Sequence, residues 1–191
     1  MIETIYLASS SPRRKQLILQ MGLNCEVIQL DVPEPMDQNH HASELAEYLS
    51  ELKMEACLEH PGLYPPDAVL LTADTLIALD DEKIGKAENR EQAFAMLKRM
   101  QGRSHQVITA YTVYPVSGGT FITGYETTDV TFSPMSDIEI DEYLDTEEWI
   151  GVAGAYRIQE QGGKYISSLN GTFYNVMGLP INRIYGILSR L

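Results

Sequence analysis

Two arginines stand where an α-helix ordinarily disfavours cations. In the stretch IYLASSSPRRKQLILQMG, Ser11 and Pro12 have the residue types of a helix N-cap and a first helical position, which places Arg13 and Arg14 in the first turn. The positive end of the helix dipole and free backbone N–H groups lie there. Two guanidinium groups beside those N–H groups make a site for phosphate or carboxylate. Two surface arginines without a partner are the alternative interpretation.

A lysine and an aspartate also interrupt apolar patterns. Lys53 falls on the core side of a predicted long helix, where a lysine either extends to solvent from the stripe edge or points into a cleft. Asp74 lies within AVLLTADTLIAL, a run typical of a strand buried on both faces, with Thr75 beside it. A carboxylate there is costly unless it is paired or used. Asp74 is therefore either a structural salt-bridge partner or a general base or metal ligand at the open end of the strand.

Two further charged residues complete a set of cations and carboxylates. Lys86 follows Gly85 in a loop that lacks the spacing of a phosphate-binding P-loop, and Glu34 lies in an acidic loop. Such a set in one cleft suits a polyphosphate and a hard divalent metal ion, because Mg²⁺ takes one or two carboxylates together with phosphate oxygens. A carboxylate that positions water at phosphorus among cations predicts phosphoryl or nucleotidyl hydrolysis.

An alternation of strand and helix patterns must position these side chains. The predicted strands are residues 5–8, 25–30 and 68–79 and a hairpin of residues 106–116 and 120–132. The predicted helices are residues 12–22, a helix from a Ser43 cap to about His60, one from an Asn89 cap to near Gly102, a short one with a Ser136–Glu139 capping box, and one from Pro180. Residues 80–83 are predicted as a turn, and residues 151–166 as a glycine-rich segment with short strands.

These patterns predict an α/β fold with a central mixed twisted sheet flanked by helices. The length of 191 residues fits a single domain, residues 1–191. The long hairpin and the later helices are expected to form a second lobe, so that two lobes surround a deep cleft.

The composition restricts location and partners. No apolar run approaches the ~20 residues of a membrane span, and the N-terminus has no signal-peptide pattern. The net charge of −13 argues against a nucleic acid polymer as partner, although it leaves a small anionic ligand open. Cys25 and Cys57 are expected to be buried reduced thiols, with a disulfide or redox pair as the alternative. Together these features predict a cytoplasmic protein that does not bind membranes.

Several stretches, taken in order, resemble the Maf family of nucleoside triphosphate pyrophosphatases (septum-formation-inhibitor-like proteins). The matching stretches are LASSSPRRKQLI, the Glu34 loop, LSELKMEA, TADTLI, GKAENREQAFAMLKRMQGRSHQVIT, GVAGAYRIQEQGG and NGTFYNVMGLP. They span almost the whole chain, and the combination of SPRR, ADT and AGAYxIQ is specific where a single stretch would not suffice.

The resemblance implies an α/β homodimer with a deep cleft that hydrolyses a nucleoside triphosphate to the monophosphate and pyrophosphate with Mg²⁺ or Mn²⁺. In that pattern Asp74 activates water for attack at the α-phosphorus or holds the metal ion, which Glu34 helps to bind. The residues that the pattern assigns to the triphosphate are Ser9, Arg13, Arg14, Lys53 and Lys86. Thr75 and Gln159 mark the branch that acts on dTTP and UTP, because a glutamine amide both donates to and accepts from a pyrimidine edge.

The sequence departs from the family pattern near Lys86 and near Gln159, and two functions other than that of a pyrophosphatase stay as alternatives. Ala87 stands where the family usually has proline, which is expected to loosen the Lys86 loop. Arg157 and Glu160 flank Gln159 with unusual charges that could alter base preference, and CTP or modified pyrimidine nucleotides are further candidate substrates. The alternative function is a non-catalytic nucleotide-binding regulator of division or septum formation. A third, a sugar-phosphate phosphatase, would release orthophosphate.

Overall fold

The computed structural model describes residues 2–33 and 40–191 of the chain. The strands in this part are β1 (Thr4–Leu7), β2 (Asn24–Val27), β3 (Val69–Leu79), β4 (Glu82–Ile84), β5 (Ser104–Pro115), β6 (Ile122–Phe132) and β7 (Ile166–Asn170). The helices are α1 (Pro12–Gln20), α2 (Ala42–Leu58), α3 (Arg90–Met100), α4 (Asp137–Leu144), α5 (Phe173–Met177) and α6 (Ile181–Leu188), with short 3₁₀ helices at Pro61–Leu63 and Gln161–Tyr165. Within the described ranges, no helix has both the length and the apolar character that crossing a membrane requires.

All seven strands belong to one mixed sheet in the order β2-β1-β3-β5-β6-β7, and β4 pairs with β3 beside this path. The predicted α/β fold with a mixed central sheet is therefore confirmed. The hairpin β5–β6 continues the central sheet, because β5 pairs with β3 and β6 pairs with β5, so the hairpin does not form a separate sheet. The division of the domain into two lobes stays a prediction.

The central strand β3 changes partners along one edge. On one side it pairs with β5 from residue 69 to residue 78 without a break. On the other side it pairs in parallel with β1 at residues 69–71 and antiparallel with β4 at residues 77–79. Neither of those two strands pairs with residues 72–76. The sheet thus has a notch in this edge, at the position of the TADTL motif.

Helices cover both faces of the sheet around this notch. On one face, Leu49 of α2 belongs to the same buried cluster as Leu76 of β3. On the opposite face, Leu17 and Ile18 of α1 belong to a larger cluster with Ile77 of β3. Because both faces are covered, β3 is buried along almost its whole length, as its continuous apolar run predicts.

Several predicted helix starts are confirmed, and one is wrong. Helix α1 begins after Ser11 with Pro12 in its first turn, and the side chains of Asn89 and Ser136 cap α3 and α4. The N-cap of α2 is His41 and not Ser43, because Glu44, three residues later, accepts a hydrogen bond from the His41 backbone N–H at 3.2 Å. Cys25 and Cys57 are buried and not bonded to each other, as expected.

Two segments differ from the sequence prediction. The predicted turn at residues 80–83 comprises only Asp80 and Asp81, both left-handed with φ of 52° and 64°, because the residues after them form β4. Short strands were predicted within residues 151–166, but in that range the structure has only one bridge, between Ala153 and Lys86, and the first residue of β7, Ile166. The backbone N–H groups of Gln161 and Gly162 bind the buried carboxylate of Glu148 at 3.1 and 3.2 Å, so they have a partner without a strand.

A buried histidine gives the fold a pH-dependent stability. His105 in β5 packs edge-on against the rings of Phe132 and Tyr156, and its Nε2 lies 2.9 Å from the Tyr156 hydroxyl. Burial lowers the pKa of His105 to about 4. The pKa of histidine in an unfolded chain is about 6.5. The stability that the neutral, buried His105 ring contributes is therefore complete above that pH and decreases as the pH falls towards 4. We expect the titration of this one group to lower the free energy of unfolding by about 3 kcal/mol between pH 7 and pH 4.

Urea unfolding between pH 4 and pH 7 measures this effect. His105→Gln removes the titrating ring and keeps a polar side chain, so this variant should lose less stability than the wild-type protein over the same range. The same pH dependence in both proteins would show that His105 does not set the slope.

Candidate active site

The notch in the sheet edge opens into a cleft of about 810 Å³. That volume lies within the usual range for small-molecule sites. The cleft is lined by residues 8–14 at the start of α1, residues 74–77 of β3, residues 85–86 after β4, and residues 150–153, 156–159 and 176–178. Because the β3 edge is unpaired here, side chains from both faces of the sheet reach the same space.

Asp74 and Lys53 form a buried ion pair in the wall of this cleft. Lys53 Nζ lies 2.6 Å from Asp74 Oδ1, and the two side chains are 11% and 8% exposed. Helix α2 is fixed against β3 next to the pair, because the Thr72 hydroxyl donates to the Ser50 carbonyl at 2.6 Å. Among the described residues, nothing hydrogen-bonds to Asp74 Oδ2. The pair is therefore a salt bridge that leaves one carboxylate oxygen available to a water or a metal ion.

Arg14 connects three separate elements. Its Nε donates to the Gly178 carbonyl at 2.8 Å, its Nη1 to Ser9 Oγ at 3.1 Å, and its Nη2 to Thr75 Oγ1 at 3.0 Å. Gly178 ends α5 in a left-handed conformation (φ 108°), which favours glycine and turns this carbonyl towards the arginine. Arg14 thus joins the start of α1 to β3 and to the end of α5, and a contact with the triphosphate stays a prediction.

Ser9 and Arg13 present donors to the cleft. Ser9 Oγ accepts from the Ser11 N–H at 3.2 Å as well as from Arg14, so its own hydroxyl hydrogen is left to donate. Ser11 makes no side-chain cap, which leaves the first-turn N–H groups of α1 uncapped. The Arg13 guanidinium has no hydrogen bond to any residue in the described ranges. Burial lowers the pKa of Arg13, and the positive charges of Arg157 and Arg14 lower it further.

The other wall of the cleft carries Lys86. This residue pairs with Ala153 in an isolated antiparallel bridge, and the Gly154 N–H donates to the Gly85 carbonyl at 3.0 Å. Ala87 is buried in the core. The Lys86 loop is therefore joined by backbone contacts to residues 153–154, and the looser loop expected without the family's proline stays a prediction.

Gln159 lies in the segment that follows this wall. Its side chain lines the cleft, and Nε2 donates to Glu160 Oε1 at 3.4 Å. The backbone just beyond is fixed by Glu148, as described above. Gly162 is required there, because a Cβ would lie 2.7 Å from the Arg157 carbonyl oxygen. The amide of Gln159 is thus presented from a closely packed turn.

The structure brings most of the predicted site residues together. The predicted residues that line the cleft are Ser9, Arg13, Arg14, Lys53, Asp74, Thr75, Lys86 and Gln159. Glu34 lies outside the described residues, although residues 31–33 line the cleft. Tyr156 and Arg157 line the cleft as well. The sequence analysis gave Tyr156 no role and gave Arg157 only an influence on base preference, and the signal for both was their place in the same AGAYRIQ stretch as Gln159. Counting only described residues, five basic and two acidic side chains line the cleft of this acidic protein.

The donor set restricts how a metal ion can bind. Within the described residues, no group of three or more His, Cys, Asp or Glu side chains is arranged to hold a metal ion. One available oxygen on Asp74 nevertheless fits an ion such as Mg²⁺, which takes one or two carboxylates and completes its shell with water and phosphate oxygens. The residues present therefore suit a metal ion that binds together with a phosphorylated substrate.

The fold and the site define an α/β protein with a cationic cleft for a phosphorylated ligand beside a buried carboxylate. Residues 4–191 match the family described as Maf-like protein, and the chain belongs to this family, which confirms the predicted resemblance.

Relatives of similar length are known. A dTTP/UTP pyrophosphatase from Thermoanaerobacter sp. (strain X514) is 36% identical over 97% of this chain and 95% of its own length. One from Bacteroides thetaiotaomicron is 39% identical over 98% of this chain and 95% of its own length. A solved nucleoside-triphosphatase / dITP/XTP pyrophosphatase from Mycobacterium abscessus covers 68% of this chain and 72% of its own with 17% identity and a TM-score of 0.39, a similarity too low to support an argument.

Proposed function

We propose that this protein hydrolyses dTTP and UTP to the nucleoside monophosphate and pyrophosphate. The observation that carries the proposal is the available Oδ2 of Asp74 in a cationic cleft with room for a nucleotide. The names of the relatives support the substrates. A non-catalytic regulator would need the cations, but it would have less need of a buried carboxylate facing the phosphates.

In the proposed reaction, Asp74 Oδ2 accepts a proton from a water molecule whose oxygen attacks the α-phosphorus. The new P–O bond forms as the bond between the α-phosphorus and the bridging oxygen breaks, and pyrophosphate leaves with the bridging oxygen. Lys53 holds the other carboxylate oxygen, which fixes the direction of Oδ2. Arg13 and Lys86 neutralise charge that develops on the leaving group, and the Ser9 hydroxyl donates to a phosphate oxygen.

A divalent metal ion, Mg²⁺ or Mn²⁺, is part of the proposal. Glu34 would hold it, a role that stays a prediction because that residue lies outside the described ranges. The alternative is that Asp74 holds the ion together with Glu34 and does not act as the base, because Lys53 occupies Oδ1 and either role needs Oδ2. When bound, the ion polarises phosphate oxygens. The homodimer and the cytoplasmic location also stay predictions.

A panel of triphosphates tests the function. Purified protein is incubated with dTTP, UTP, CTP, modified pyrimidine triphosphates, ATP or GTP, each with Mg²⁺, Mn²⁺ or EDTA, and both products are identified. We expect monophosphate and pyrophosphate from dTTP and UTP, and no turnover with EDTA. Release of orthophosphate would favour a phosphatase, and binding without turnover would favour the regulator.

Gln159→Ala is expected to reduce base selectivity. The amide contacts the pyrimidine edge in the proposal, so its loss should lower the ratio of kcat/KM for UTP over ATP by about tenfold while ATP turnover changes little. Gln161→Ala, in the same segment but outside the cleft lining, is the matched control. An equal loss with both nucleotides would assign Gln159 to the scaffold instead.

A further inference from the structure

Arg157 is a cation of the cleft that the proposed reaction does not yet use. Its side chain is 28% exposed and lines the cleft. Its Nη1 lies 3.4 Å from both carboxylate oxygens of Glu160, and its Nη2 lies 3.3 Å from the Ile150 carbonyl, beyond the usual range for N–H···O bonds. Nε is buried, and no acceptor among the described residues reaches it. The guanidinium is thus largely removed from water and gains no strong partner within residues 2–33 and 40–191.

The backbone of Arg157 is held much more firmly than its side chain. Its N–H donates to the hydroxyl of Tyr143 at 3.1 Å, and Tyr143 is itself almost fully buried. Gly162 packs directly on the Arg157 carbonyl. The fixed backbone therefore holds the base of the side chain beside the cleft, and the guanidinium keeps N–H donors for a ligand.

Arg13 faces the same space from another segment. Its guanidinium has no hydrogen bond to a described residue, and after burial the charge of Arg157 is the next cause that lowers its pKa. Two guanidinium groups that repel each other in one cleft would both be stabilised by an anion between them. Glu160 offsets this repulsion only in part, because its contacts with Arg157 are long and its side chain is 42% exposed.

We propose that Arg13 and Arg157 together bind the pyrophosphate portion of the substrate, and that Glu160 competes with the phosphate oxygens for Arg157. This inference rests on the proposed function, since it names a further substrate contact in the same cleft. In this arrangement the guanidinium of Arg157 contacts the phosphates and not the base, although Arg157 lies close to Gln159 in the sequence.

Calorimetric binding of inorganic pyrophosphate in the presence of Mg²⁺ tests the inference. Arg157→Gln should weaken binding about tenfold, as expected for a charge-assisted hydrogen bond, and Arg157→Lys should weaken it less. Glu160→Gln should tighten binding several-fold, because the competing carboxylate is gone. The matched control is Arg103→Gln, since Arg103 pairs with Asp80 at the surface outside the cleft.

Unchanged pyrophosphate affinity in Arg157→Gln, or weaker binding in Glu160→Gln, would overturn the inference. The second variant keeps the backbone contacts of Arg157, so it gives an answer even if Arg157→Gln does not fold. A change in the UTP-to-ATP ratio without a change in pyrophosphate affinity would place Arg157 at the base and also overturn it. If no triphosphate is hydrolysed but pyrophosphate binding depends on Arg157, the proposed reaction fails while the anion site stands.

Discussion

Asp74→Asn is expected to lower kcat for pyrophosphate release from UTP by about 10²- to 10⁴-fold, the range typical for loss of a general base. Asparagine has almost the same shape, and its carbonyl oxygen can still accept from Lys53. The neutral amide cannot take a proton from the attacking water. Steady-state kinetics with dTTP and UTP measure the effect, and wild-type kcat in the variant would exclude the assigned role.

The salt bridge between Asp74 and Lys53 provides a competing explanation that the experiment must separate. Removing one charge of a buried pair typically costs about 3–5 kcal/mol, so activity could be lost through unfolding alone. Urea unfolding of Asp74→Asn decides whether the protein is folded under assay conditions. The double variant Lys53→Met/Asp74→Asn removes the remaining ammonium, so it should recover stability without recovering kcat.

A matched carboxylate elsewhere in the chain serves as the control. Asp80 pairs with Arg103 at the turn after β3, where both side chains are largely exposed. Asp80→Asn should therefore leave kcat unchanged. Recovery of activity in the double variant would show that Asp74 acts only by balancing the charge of Lys53.

The sequence singles out Asp74 and Lys53 for a physical reason. Asp74 and Lys53 each interrupt an apolar pattern, and a buried charge needs a partner or a function. Neither residue alone distinguishes a structural salt bridge from a functional role, as the two interpretations of Asp74 showed. The structure shows that the two residues pair with each other and that no described residue hydrogen-bonds to Oδ2, and neither fact is contained in periodicity.

The sequence predicted a helix start correctly where the start depends only on residues next to it. The Ser11–Pro12 start of α1 depends on backbone geometry within a few residues, and it was predicted correctly. The start of α2 was misplaced because Ser43 is a strong N-cap type, whereas the actual cap depends on the position of Glu44.

Long-range contacts explain what the sequence could not provide. Residues 151–166 were predicted to contain short strands, but up to residue 165 the structure has a single bridge, and the carboxylate of Glu148 binds the backbone N–H groups of Gln161 and Gly162. Nothing in the sequence distinguishes Glu148 from the exposed acidic residues around it. Arg14 and Gly178 are 164 residues apart, so their hydrogen bond is also invisible to pattern analysis. As a result, the sequence assigned Arg13 and Arg14 the same role.

The two arginines are expected to respond differently to the same substitution. Arg14→Lys keeps the positive charge, but a single ammonium cannot reach the Gly178 carbonyl, Ser9 Oγ and Thr75 Oγ1 together as the guanidinium does. We expect a loss of about 2–4 kcal/mol in the free energy of unfolding, with a fall in kcat/KM because the start of α1 is no longer fixed to β3 and α5.

Arg13→Lys is the matched substitution one residue away, in the same turn of α1. Arg13 has no hydrogen bond within the described ranges, so the free energy of unfolding should change by less than about 0.5 kcal/mol. The KM for UTP should rise about tenfold, because a forked contact to phosphate becomes a single point charge. Urea unfolding and steady-state kinetics of both variants give the comparison. If Arg14→Lys is as stable as wild type and raises KM more than Arg13→Lys does, Arg14 binds the substrate and is not primarily part of the scaffold.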